Sequence, residues 1–152
     1  MITLFKTAAA AAAVLAALAL VGCGGVERRV RDGRVGAVID QEPDRRSYYE
    51  AIGIGASDPS LPTETQRKAL ARDAAIVKAQ YELLSMIKGV ELEGGVTVSQ
   101  ALEKDSLLTA RVHDSIRGAE VLKSEFTDDG GCVATLRLPK SRVAPLLAGA
   151  RP

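Results

Sequence analysis

The chain of 152 residues has room for one domain of ordinary size. Its formal net charge is +1, and with Lys6 set aside the chain balances 19 basic against 19 acidic side chains, which excludes binding to polyanions by bulk charge. Three tyrosines, two phenylalanines and no tryptophan make any core aliphatic and alanine-rich, and leave few rings on which a base or sugar could stack, so nucleic acid is not an expected partner.

Lys6 stands in a short basic leader, and Thr7 to Val21 is an apolar run of 15 residues, short of the roughly 20 needed to span a bilayer. The run ends in Leu20-Val21-Gly22-Cys23, which resembles the lipobox of bacterial lipoprotein precursors. That resemblance implies diacylglyceryl transfer to the Cys23 thiol, cleavage before Cys23 and acylation of the freed amine, with palmitate as a metabolic label. The alternatives are an ordinary signal peptide or an uncleaved anchor. Two or three acyl chains on one residue make attachment to a membrane effectively permanent. Residues 1–22 are then a signal peptide and 23–47 an anchor and tether. Gly24, where aspartate would retain a lipoprotein at the inner membrane in enteric bacteria, implies the outer membrane, with the protein facing the periplasm or the cell surface.

Gly24 to Ser47 is polar and broken by Gly24-Gly25, Asp32-Gly33 and Glu42-Pro43-Asp44, as expected of a solvated tether. Arg28, Arg29, Arg31 and Arg34 fall near the membrane, where anionic head groups attract them, although Glu27 and Asp32 interleave. A competing possibility is an edge strand over Arg34 to Ile39. The folded domain, residues 48–152, opens with a strand over Tyr49 to Ala56, whose Gly53 and Gly55 share one side and leave room for close backbone approach. A nucleotide-binding reading of this Gly-x-Gly fails, because Asp58 stands where the third glycine is required.

The organising element is a helix from Pro62 to Val90, with Thr63 and Gln66 forming a capping-box pattern and Lys88-Gly89 the stop. Leu70, Ala74, Val77, Tyr81 and Leu84 fall in one apolar stripe, and Ala69, Ile76, Leu83 and Ile87 in a second beside it. Ala71, Ala74, Ala75 and Ala79 keep parts of the surface flat, which suits a helix lying across a sheet. Asp73 and Gln80 sit within the apolar arc and need polar partners. Val90 to Val98 alternates as a strand, with Glu91 and Glu93 as solvated surface rather than a catalytic pair.

Asp105 caps a second helix, Ser106 to Arg117, with Leu108, Val112 and Ile116 in a stripe. His113, the sole histidine, lacks a partner at ligand or nucleophile spacing. Ala119 to Thr127 and Cys132 to Leu138 form a hairpin about Asp128-Asp129-Gly130-Gly131, with Cys132 a buried thiol on the face of Ala134, Leu136 and Leu138. Thr135 then faces the other way, on a free sheet surface. Ser141 caps a short terminal helix that must accommodate Pro145. The fold expected is α+β, a small, mainly antiparallel sheet of three or four strands with one long helix across a face.

The segment ARDAAIVKAQYELLSMIKGVEL from Ala71 to Leu92, the later RGAEV from Arg117 to Val121 and the DDGG turn resemble the LPP-twenty lipoprotein family, named from a Helicobacter surface antigen. A similar domain forms the N-terminal part of the flagellar T-ring protein FlgT, and the likeness spans about Tyr49 to Leu138. It implies a lipid-anchored, non-catalytic envelope protein related to flagellar assembly or the cell surface, and supplies no catalytic residue. The function expected is a scaffold or assembly factor acting by contact with an envelope protein or a second copy of itself, with no cofactor and no metal. The alternative is a small-ligand-binding or surface-adhesion module.

Overall fold

A computed structural model describes residues 26–36, 45–92, 95 and 97–149. The main sheet holds three antiparallel strands: β3 (Tyr48–Gly55) and β4 (Glu120–Phe126) on the two edges, and β5 (Cys132–Pro139) between them. A separate two-stranded hairpin, β1 (Val30–Arg31) and β2 (Arg34–Val35), precedes them. The helices are α1 (Glu64–Lys88), α2 (Val98–Lys104), α3 (Ser106–Arg117) and α4 (Lys140–Ala148). The α+β class and the long helix across a small antiparallel sheet are as the sequence implies.

Local chemistry sets most boundaries. Thr63 accepts from the Gln66 amide while Gln66 accepts from the Thr63 amide, so the box starting α1 is complete. Asp105 accepts from the amides of Leu107 and Leu108 at the start of α3, where Leu108, Val112 and Ile116 are buried. The β4–β5 turn carries Gly130 at φ 82°.

The packing of α1 on the sheet is closer than side-chain interdigitation allows. A Cβ on Gly53 would lie 2.0 Å from the Ala75 carbonyl oxygen, and one on Gly55 2.0 Å from that of Ala71. The two backbones are therefore in direct contact, with only methyl groups tolerated around them. The helix meets this demand with Ala71, Ala75 and Ala79, spaced by four, and continues the buried row through Leu83 and Ile87. Cys132, Ala134, Leu136 and Leu138 of β5 complete this side of the core, and Val98, Val112 and Val143 bring in the three shorter helices.

The same contact overturns the expected orientation of the first apolar stripe. Leu70, Val77 and Tyr81 are 46, 50 and 65 % exposed, on the side of α1 away from the sheet, and Ala74 is exposed with them. Side chains of that size facing β3 would hold the helix off the glycines. Of the second stripe, Leu83 and Ile87 are buried and Ile76 packs against the core, but Ala69 is exposed. Asp73 is likewise in solvent, so it has no buried partner to find.

Two further expectations are corrected. Among the described residues of Val90 to Val98 there is no strand: Glu91 bridges Thr97, Gly95 stands at φ 77°, and α2 begins at Val98. Thr97 and Gln100 form a second capping box there, so the helix wins over the alternation. Ser141 does not cap α4, which starts one residue earlier behind Pro139, with the Lys140 amide donating to the Ser47 carbonyl.

Replacing Gly53 with alanine is expected to cost roughly 1–3 kcal/mol or more, because the clashing atoms are helix backbone and cannot rotate away. Ala75→Leu should cost a similar amount, while Lys78→Leu, at an exposed position, should not. Urea melts decide; an unchanged midpoint for Gly53→Ala would refute the close contact.

Candidate functional site

The lipobox-like residues Leu20, Val21, Gly22 and Cys23 lie outside the described residues, as does Glu93. What the structure does place is the segment from Val26 to Gly36. Asp32 and Gly33 have φ of 49° and 69°, the two left-handed residues of a tight hairpin turn, with Val30 opposite Val35. Arg34 to Val35 thus pairs with Val30 to Arg31 and not with the main sheet.

This hairpin is packed on the sheet rather than solvated. The Arg29 amide donates to Glu125 Oε2 at 2.8 Å, and its guanidinium lies 3.7 Å from Glu27 and 3.8 Å from Glu50. At the other end the Asp128 amide donates to the Gly33 carbonyl at 2.8 Å. Arg137 pairs with Glu50 and stacks over Tyr48, and Lys123 pairs with Glu125. The Arg29 side chain is only 8 % exposed, an arrangement that requires charged partners on the sheet.

The consequence is that the sheet face away from α1 is not free. Thr135 is 1 % exposed, and Val133 and Ile52 beside it are buried. The sequence places Thr135 correctly on the face opposite Cys132 but misses the cover over it.

A second feature is a groove of about 320 Å³ between α1 and α3, lined by Val77, Gln80, Tyr81, Leu84, His113, Ile116 and Arg117. It brings the sole histidine beside Gln80 and Arg117. The Gln80 side chain makes no hydrogen bond among the described residues. His113 itself is exposed.

Cys132 is buried against the sheet and helix, and burial pushes its thiol above the ordinary range, with Arg72 partly opposing the shift. Asp129 is held below the usual carboxylate range by hydrogen bonds from the Thr127 hydroxyl and the Gly131 amide, which stiffens the β4–β5 turn. Among the described residues no group of three or more His, Cys, Asp or Glu could hold a metal ion. No helix there is long and apolar enough to cross a membrane.

No family model, curated protein or solved structure matches the chain.

The sequence signal for the hairpin was Asp32-Gly33 between two valines, a turn pattern that composition alone reads as a breaker. The role of Arg29 had no local signal, because its partner Glu125 lies 96 residues away.

Arg29→Met should cost about 1–3 kcal/mol, because the buried guanidinium no longer pairs with Glu50 while the backbone bond to Glu125 is kept, and Thr135→Asp should unfold the domain by burying an unpaired charge; thermal melts measure both. Cys132 should resist a thiol reagent in the native protein and react fully in urea; rapid native labelling would contradict its burial.

Proposed function

We propose that the protein is a lipid-anchored, non-catalytic lipoprotein of the bacterial envelope, at the outer membrane, acting as a scaffold or assembly factor by protein contact. The lipobox match ending at Cys23 supports the anchor, and the resemblance to the LPP-twenty family supports the envelope role. The observation that carries the contact reading is the apolar row on α1. Leu70, Val77 and Tyr81 stand exposed along one helix face, with Leu84 half-buried at its end, and contiguous exposed apolar side chains mark interaction surfaces. Contact through the sheet face at Thr135 is no longer tenable, since that face is covered.

The partner class is another envelope protein or a second copy of this chain. A photo-crosslinking residue at position 81 should yield a discrete protein adduct in cells, and the same residue at the exposed Glu103 should not. Equal labelling at both positions, or none at 81, would count against the proposal. The anchor is tested separately: Cys23→Ala should abolish palmitate incorporation and leave the precursor unprocessed, whereas persistent labelling would dispose of it.

The α1–α3 groove favours a second reading, a small-ligand-binding module. Its polar groups, Gln80, His113 and Arg117, stand beside the apolar Val77, Leu84 and Ile116, and its volume lies at the lower end for small-molecule sites.

A further inference from the structure

The hairpin that follows the anchor is fixed to the domain at both ends, by the Arg29 amide on Glu125 and by the Gly33 carbonyl on the Asp128 amide. Arg29, the first residue bonded to the sheet, is six residues from Cys23. Six residues reach at most about 22 Å fully extended, so a lipid on Cys23 would keep this face of the domain close to the bilayer surface.

The charge on that face matches the position. Arg28, Arg31 and Arg34 are exposed along the hairpin, with one exposed carboxylate, Asp32, at its turn. Glu27 is engaged with Arg29 and Arg31, which reduces its repulsion of an anionic surface. Each arginine near anionic head groups strengthens binding about fivefold at moderate salt, and guanidinium forks suit phosphate oxygens.

Resting on the lipid-anchor reading above, we infer that the Val26–Gly36 hairpin is a membrane-docking surface that lays the domain on anionic phospholipid head groups. The hairpin covers one face of the sheet and α1 the other, so docking turns α1 away from the bilayer. Its apolar row then stands about 20 Å above the hairpin, from the thickness of a helix layer on a sheet, and is presented to the envelope space where a partner can reach it.

The test uses the full lipoprotein reconstituted into phosphatidylethanolamine–phosphatidylglycerol vesicles carrying a head-group quencher. A fluorophore is placed on Gly36→Cys or Tyr81→Cys, both exposed positions, while the buried Cys132 stays unlabelled. The probe at 36 should be strongly quenched and the probe at 81 not. Quenching at 36 should fall when Arg28, Arg31 and Arg34 are all changed to glutamine, when phosphatidylcholine replaces the anionic lipid, and at high salt. Equal quenching at the two sites overturns the inference, and so does quenching at 36 that ignores charge. Flotation with the vesicles reads the anchor independently: a protein that floats but shows no difference between the probes retains its anchor and loses the docking surface. A protein that fails to float defeats the anchor reading and, with it, this one.

Discussion

The contact between the backbone of α1 and the backbone of β3 constrains the rest of the structure. Gly53 and Gly55 offer no side chain, and Ala71 and Ala75 bring their main-chain atoms to within a distance that any Cβ on the strand would violate. A contact of that kind tolerates one rotation of the helix. It buries the alanine row and its continuation through Leu83 and Ile87, and it fixes where β5 must lie to bury Leu136 and Leu138 beneath the same helix.

The surface of the molecule follows from that rotation. The helix carries more apolar side chains than one face of a small sheet can cover, so Leu70, Val77 and Tyr81 are left outside. On the opposite side of the sheet the inner positions Ile52, Val133 and Thr135 would also be open to water, but the N-terminal hairpin closes over them. It does so with Arg29, whose guanidinium lies beside Glu50 and whose backbone amide donates to Glu125. The molecule is thus layered, with a polar hairpin, a sheet and an apolar-faced helix, and its two outer surfaces differ in the partner each suits.

How much of this the sequence discloses depends on whether the signal is local. The capping box at Thr63, the Asp105 cap, the glycine turn of the β4–β5 hairpin and the alternation of Cys132 to Leu138 are short-range patterns, and each stands in the structure as read. The glycine side of β3 and the alanine side of α1 also announced each other. Helical periodicity, by contrast, shows that Leu70, Val77, Tyr81 and Leu84 share a face without saying what that face meets. The capping box of Thr97 and Gln100 is a local pattern too, but the alternation around Glu91 runs through it and masks it. Arg29 was not legible at all, because a charged residue in a polar, arginine-rich segment looks solvated until Glu50 is in place beside it.

The central claim, that one backbone contact between α1 and β3 holds the domain together, is tested most directly by native-state hydrogen exchange. Amides of Ala71 to Ile87 and of β3 and β5 should exchange with a single free energy equal to that of global unfolding, because the helix cannot lift without exposing the core. Exchange from α1 at markedly lower free energy, with the sheet still protected, would show that the helix detaches alone and would contradict the account.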